Sequence, residues 1–440
     1  MAALAHRGWV RADCERFAQQ LAEATRSQST PQVAAAIDDA IALNRTIHEV
    51  DCINLNPATN VMNPRAEAVL AAGLSTRASL GTPADKYEMG LEGVERIEVI
   101  AAELAAETFG ARYAEIRVPS GSIANLYAFM LAAKPGDSII VPPPPIGGHI
   151  SHHAGGCAGR YGLSMRFAEV DAEGYTIDLP ALREQARALR PKLITIGSSL
   201  NLFPHPVREV REIAEEVGAL VLFDAAHLSG MIAGGAWPSP LAEGAHLMTM
   251  STYKSLGGPA AGLILTNDPA LAERLEAIAY PGLTANFDVA KSAALAITLL
   301  DWREHGKAYA AAMAASALAL AESLRQAGIP VFATGRGATA SHQFAIEAAE
   351  FGGGQTAART LRAANILASG IGLPIAPIAG EANGLRLGTP EIVRWGMTEG
   401  DMPELAGLIV RGLATNRAGD RLAAEVSAFR QRFRTLHFIN

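Results

Sequence analysis

Four short aliphatic runs constrain this chain more than any other feature. Ser138-Ile-Ile-Val141, Leu193-Ile-Thr-Ile196, Ala219-Leu-Val-Leu-Phe-Asp224 and Gly262-Leu-Ile-Leu-Thr266 are aliphatic on both faces. A strand with one wet face alternates apolar with polar residues. A strand covered by helices on both sides does not. Between two of these runs, Val207, Val210, Ile213, Ala214 and Val217 recur at helical spacing, and Gly218 is placed to stop the helix. The alternation predicts an α/β fold, a mostly parallel sheet with helices on both faces.

The chain has the material for such a core. Its 440 residues are 49% hydrophobic and 18% charged, too many for one ordinary core and far from a disordered composition. We expect a helical arm over residues 1–50, a large domain over 51–300 and a smaller α+β domain over 301–440. Residues 12–48 mix polar and apolar residues at helix spacing; such an arm packs on a partner subunit or caps its own chain. Asp288–Ala327 reads as a long helix interrupted near Gly306. Val331-Phe-Ala and His342-Gln-Phe-Ala-Ile346 read as strands, 355–368 as a helix and 402–436 as terminal helices.

Charge and cysteines narrow the partners. A net charge of −7 without a Lys/Arg run argues against nucleic acid or a membrane surface. The first residues lack a signal-peptide core, and the alanine-rich stretch around Ala310–Ala321 is short of a membrane span. Cys14, Cys52 and Cys157 are odd in number and unlike a zinc pattern, which fits a reduced cytoplasmic protein.

Two residues then point to chemistry. Lys254 sits in Met-Ser-Thr-Tyr-Lys254-Ser-Leu-Gly-Gly-Pro, downstream of Val-Leu-Phe-Asp224-Ala-Ala-His227. A lysine after a strand can form a Schiff base with the aldehyde of pyridoxal 5'-phosphate. An aspartate ending an upstream strand can keep the pyridine nitrogen protonated, so that the ring takes up electrons. Ser120-Gly121-Ser122-Ile-Ala-Asn125 opens a helix after Ala114–Val118. Amides and hydroxyls at a helix start bind an anion such as the cofactor phosphate, and Ser251 and Thr252 can add donors. His149, His152 and His153 raise a metal site, but the run around them is apolar and glycine-rich. The better reading lays His149 flat on the cofactor ring, with His152 or His153 in the structural wall. Arg386, in Gly384-Leu-Arg386-Leu-Gly-Thr-Pro390, suits a bidentate clamp on a substrate carboxylate.

Taken together, these segments resemble serine hydroxymethyltransferase, of the aminotransferase-like fold type I class of pyridoxal phosphate enzymes. The resemblance runs from about residue 50 to 411 and includes Phe-Gly-Ala-Arg-Tyr-Ala, Pro119-Ser-Gly-Ser-Ile-Ala-Asn125, Gly147-Gly-His149, Ala219 to Gly230, Lys254-Ser-Leu-Gly-Gly-Pro and Arg386-Leu-Gly-Thr-Pro. It implies a large seven-stranded domain and a smaller C-terminal one. It implies Lys254 as the cofactor lysine and Asp224 as the ring-nitrogen partner. His149 would stack, and Ser199 and His227 would lie by the ring hydroxyl. Ser120, Gly121, Ser122 and Ser251 would surround the phosphate, and Arg386 would bind the substrate. It further implies a homodimer or a dimer of dimers, with active sites at the subunit interface.

The departures from the family are concentrated on the substrate side. Ala78 stands where a tyrosine is expected, Leu80 at the folate-side glutamate and Glu88 at a substrate-side tyrosine. Tyr253 replaces the histidine before the lysine, Ala260 an arginine and Ala285-Asn286 a glycine pair. Ala58 replaces a serine, while Asn60 is kept near the substrate. Retained cofactor residues and lost folate residues lead us to expect aldol cleavage of a β-hydroxy-α-amino acid, α-methylserine-like and independent of folate. Glu88 is the candidate base. The alternatives are a folate-dependent hydroxymethyltransferase, another fold type I reaction, and a non-catalytic oligomeric relative.

Overall fold

A computed structural model of the protein describes residues 4–414 and 420–440. The chain divides into two compact units, one ending at Cys52 and the other running from Ile53 to Asn440. In the first, the helices Ala12–Ser27 and Thr30–Arg45 occupy most of the stretch expected to be helical. Ser29 starts the second helix through a reciprocal cap with Gln32, whose Oε1 accepts from the Ser29 amide at 2.8 Å. Phe17, Leu21, Ile37 and Ile41 on these helices are all exposed.

The second unit is built on seven strands: β1 (Tyr113–Val118), β2 (Ser138–Val141), β3 (Ser164–Phe167), β4 (Leu193–Ile196), β5 (Leu220–Asp224), β6 (Leu247–Ser251) and β7 (Gly262–Thr266). Their order across the sheet is β1-β7-β6-β5-β4-β2-β3. The neighbours β6/β5, β5/β4, β4/β2 and β2/β3 are parallel, and β7 runs antiparallel to both β6 and β1. This is the expected mostly parallel sheet. The double-faced aliphatic runs are buried along β4 and β7, while edge strand β3 is largely exposed. The helix Val207–Val217 buries all five residues read from its spacing, and Gly218 ends it with a φ of 72°, in the left-handed region.

A smaller sheet holds β8 (Gln343–Glu347), β9 (Ser369–Ile371) and β10 (Gly384–Gly388), in the order β8-β10-β9 and fully antiparallel. The helix Val289–Gln326 runs through 38 residues and packs along Glu92–Phe109. It is not interrupted at Gly306. Glycine weakens a helix by about 1 kcal/mol. Here a Cβ on Gly306 would come 3.0 Å from Trp302 Cε3 and 3.7 Å from Gly234 Cα, so the glycine lets the helix lie close against the turn at Gly234. Val331 contributes only an isolated bridge to Ile346. At the C-terminus, Met402–Ala414 and Asp420–Arg430 are helical; residues 415–419 of the expected 402–436 stretch lie outside the described residues, as do residues 1–3. Among the described residues, no helix is long and apolar enough to cross a membrane.

Candidate active site

Parallel strands leave their carboxyl ends on one edge, where the following loops converge. Here that edge gathers Ser120 and Ser122 after β1, His149 after β2, Ser199 after β4, Asp224 at the end of β5, and Ser251 and Lys254 at and beyond the end of β6. With Gly121 and His227 they line a cavity of about 440 Å³.

One end of the cavity is an anion cup. Ser120 caps the helix Gly121–Ala132, its Oγ accepting from the Ile123 amide at 3.3 Å. The first amides of a helix have no intrahelical partner and carry partial positive charge. A Cβ at Gly121 would collide with the Ser251 side chain, so glycine is what lets the helix start lie against β6.

At the other end, Asp224 is held from three sides. Its Oδ2 accepts from Asn125 Nδ2 and lies 2.9 Å from His152 Nε2, and its Oδ1 accepts from the Ala226 amide. Thr249 Oγ1 donates to Asn125 Oδ1 at 2.7 Å, which turns the amide's donor side toward Asp224. Burial opposes the charged form, but the hydrogen bond and charge of His152 outweigh it and hold the carboxyl well below its usual range. The aspartate is ionised at neutral pH.

Lys254 is buried, and that burial is the main reason its pKa is pushed down to about 8; Arg386 adds to the effect and Asp224 opposes it. Its Nζ lies 3.1 Å from His227 Nε2. A sizeable neutral fraction near neutral pH makes it a nucleophile. Burial also pushes His149 down to about 4, so it is uncharged at neutral pH. Its Nδ1 accepts from the Ser151 amide at 3.2 Å and lies 2.7 Å from Ser151 Oγ. The three clustered histidines thus have separate tasks. His149 faces the cavity, His152 holds Asp224, and His153 Nε2 reaches the Pro142 carbonyl at 3.0 Å.

Arg386 stands on β10, behind Ser199 and His227. Its Nε and Nη2 reach Ser369 Oγ at 3.3 and 3.0 Å, and Nη1 donates to the Ser199 carbonyl. Among the described residues no carboxylate forms an ion pair with it. Burial pushes its pKa down to about 10, a sign of an uncompensated cation. Such a group is ready for an external anion.

The family profile for serine hydroxymethyltransferase matches residues 27–409. The chain belongs to the serine hydroxymethyltransferase family. Two relatives named alpha-methylserine aldolase match along almost the whole length. One, from Ralstonia sp., is 59% identical over 433 residues, 98% of this chain and 99% of the relative. One from Variovorax paradoxus is 61% identical over 438 residues, 100% of this chain and 99% of the relative. A serine hydroxymethyltransferase of Pyrobaculum islandicum is 38% identical over 386 residues, 87% of this chain and 89% of the relative. The chain is an enzyme of this family.

Three of the residues expected in the site do not line the cavity: Arg386, behind Ser199 and His227, and Asn60 and Glu88. Asn60 donates to Tyr309 Oη at 3.0 Å and packs against Gly257, beneath the loop that follows Lys254. Glu88 sits just beyond a small hairpin, Gly81–Thr82 with Asp85–Lys86, and its Oε2 lies 3.4 Å from the Leu80 amide. Ala78, Leu80 and Glu88, three of the departures from the serine hydroxymethyltransferase pattern, flank that hairpin; Ala58, Tyr253, Ala260 and Ala285-Asn286 lie elsewhere along the chain. The hairpin is latched by Lys86 Nζ on Glu98 at 2.7 Å, with both side chains at most 6% exposed, and by the Ser79 amide on Asn286 Oδ1 at 3.3 Å.

The sequence reading missed Asn125 and Gln343 as site residues and gave His152 only a wall. Tyr253, noted as a departure, lines the cavity with its ring centre 5.9 Å from Lys254 Nζ. The histidine cluster was the available signal for His152. Nothing in local spacing marks Gln343.

Proposed function

We propose that this protein is a pyridoxal 5'-phosphate-dependent aldolase that cleaves α-methylserine to alanine and formaldehyde without tetrahydrofolate. The observation that carries the proposal is Arg386, a buried cation without a carboxylate partner, beside a buried lysine and an ionised aspartate. The names of the relatives near 60% identity support the substrate, and the 38% identical hydroxymethyltransferase stands further off.

The cavity fits the cofactor. A serine-rich helix start suits its phosphate, Ser120, Gly121, Ser122 and Ser251 forming the cup. Asp224 suits the ring nitrogen, and the uncharged His149 suits a ring face. Ser199 and His227 would lie by the ring hydroxyl, and Lys254 would offer the amine. When bound, the cofactor supplies a sink for the electron pair released at Cα.

The chain's own residues do the rest. Asp224, held as an anion by His152 and Asn125, keeps a proton on the ring nitrogen. Arg386 grips the substrate carboxylate and so sets the rotation about Cα, aligning the Cα–Cβ bond with the electron sink. Departure of the hydroxymethyl group needs a base to take the β-hydroxyl proton. The carbon leaves as formaldehyde, Cα gains a proton, and alanine results. Among the described residues Asp224 is the one carboxylate lining the cavity, and in this reading it serves the ring nitrogen. We assign the base to Glu88 from the hairpin of a second copy. Asn60 then acts from below, by holding the lysine loop.

The working unit we propose is a cytoplasmic homodimer or dimer of dimers. The exposed apolar residues of the two N-terminal helices support a subunit contact, and Cys14, Cys52 and Cys157, which form no disulfide among the described residues, fit a reducing compartment.

The test is product analysis with purified, cofactor-loaded protein and α-methylserine. Formaldehyde and alanine should appear in equal amounts at the same rate with and without tetrahydrofolate. Strong folate stimulation would favour the hydroxymethyltransferase reading, and absence of both products would remove the aldolase.

A further inference from the structure

Gln343, at the start of β8, is fully buried and reaches the cavity wall. Its Oε1 accepts from the Asn201 amide at 3.2 Å. Its Nε2 donates to the Ser199 carbonyl at 3.2 Å and stands 3.1 Å from His227 Nδ1. The two backbone contacts fix which way the amide points. Turned over, it would set its NH₂ against the Asn201 N–H and its oxygen against the Ser199 carbonyl, two clashes of like partners. The second hydrogen of Nε2 therefore faces His227 Nδ1, which must accept it.

We infer that Gln343 is a positioning residue that fixes the tautomer of His227, with the imidazole proton on Nε2, aimed at Lys254. Two side chains face Nε2, and of these only a neutral amine can accept from it. Lys254 Nζ is 3.1 Å from Nε2 and Arg386 Nη1 is 3.4 Å away. Burial first, then the positive charges of Lys254 and Arg386, with His342 and His149 adding, keep His227 uncharged. Of the two neighbours, Arg386 Nη1 already donates to the Ser199 carbonyl and has no lone pair to offer. The neutral amine of Lys254 does have one. The His227 N–H thus favours the unprotonated lysine, the form that captures a carbonyl. Once Lys254 is engaged, the same N–H points toward the ring-hydroxyl side. That last role rests on the cofactor assignment above; the tautomer does not.

The experiment is long-range ¹H–¹⁵N correlation spectroscopy of ¹⁵N-histidine-labelled protein without added cofactor. His227→Asn identifies the signals. Wild type should show His227 with a proton-bearing Nε2 and a bare Nδ1 at pH 9, above the pKa of about 8 where Lys254 offers its lone pair. A proton on Nδ1, or signals averaged between the two forms, would overturn the inference without touching the aldolase reading. Gln343→Glu replaces the donor by an acceptor. It should move the proton to Nδ1 or charge the ring, and raise the titration midpoint of Lys254 by about one unit. If that variant keeps the wild-type tautomer, Gln343 does not set it. Should the variant fail to fold, the wild-type spectrum still decides. Gln343→Leu, which keeps the volume and removes both partners, should release His227 into a mixture of forms; a single wild-type tautomer there would also count against the inference.

Discussion

Asp224 and Glu88 are both carboxylates, yet the molecule treats them in opposite ways. Asp224 closes a central strand, is 6% exposed and takes hydrogen bonds from Asn125, His152 and the Ala226 amide. Glu88 follows a two-rung hairpin, is half-buried and has one contact of 3.4 Å, to the Leu80 amide. The first region is fixed by the sheet. The second is attached to it by the Lys86–Glu98 pair and by Asn286. The contrast accounts for the departures beside the hairpin, at Ala78, Leu80 and Glu88. Changing a residue in the strand-end cup disturbs a connected buried network. Changing one on the hairpin disturbs few partners, so the handling of the substrate's departing group can alter while the electron-accepting apparatus stays.

If that division is correct, the largest losses come from the strand ends. Lys254→Ala should abolish cleavage, and borohydride should fix the cofactor to the Lys254 peptide of the wild type. Label on another lysine would dissolve the comparison at its root. Asp224→Asn should keep the cofactor, more weakly, and reduce turnover by roughly 10³-fold, the scale of a lost proton-placing group. Wild-type turnover would mean that the electron sink is organised elsewhere. Arg386→Lys keeps the charge and loses the planar fork. About 2–4 kcal/mol of transition-state binding should go, roughly 10²-fold in kcat/KM. An unchanged kcat/KM would place the substrate carboxylate on another residue.

The hairpin should show smaller effects and a different signature. Glu88→Gln should slow cleavage by roughly 10- to 100-fold while leaving the cofactor absorbance and α-proton exchange of alanine nearly as they were. Mixing it with Lys254→Ala should restore activity in hybrid dimers, because one of the two shared sites then has both wild-type groups. No recovery on mixing would return Glu88 to its own chain or remove it from the mechanism.

The smallest effect is one of pH. Lys254 has its pKa lowered to about 8, so its amine is mostly protonated below that value and mostly free above it. Capture of cofactor by the empty protein should therefore rise about tenfold from pH 7 to pH 9 and flatten beyond. A rise continuing to pH 10 would show that the lysine retains its ordinary pKa.

Much of this was legible in the chain. Strands covered on both faces have a local signature, and so does a lysine set a few residues past one of them. The serine-glycine-serine start of the helix Gly121–Ala132 is local as well. Illegible were the antiparallel direction of β7, the continuity of the helix through Gly306, and the partners of Asp224. Asn125 and His152 lie 99 and 72 residues from it along the chain. Asn60, kept from the family pattern, bonds Tyr309 beneath the lysine loop, 249 residues away.

By itself, then, the sequence determined the class of sheet, the lysine and the aspartate, because hydrophobic pattern and strand-end motifs act over a few residues. Only the tertiary structure decided what surrounds them. The order of strands sets which segments meet. The meeting of the segments after β1, β2, β4 and β5 with β8 and β10 is what charges Asp224, turns Gln343 toward His227 and, among the described residues, leaves Arg386 without a counter-ion. Hydrogen bonds reach about 3 Å, so these properties depend on which distant residues the fold brings within that distance.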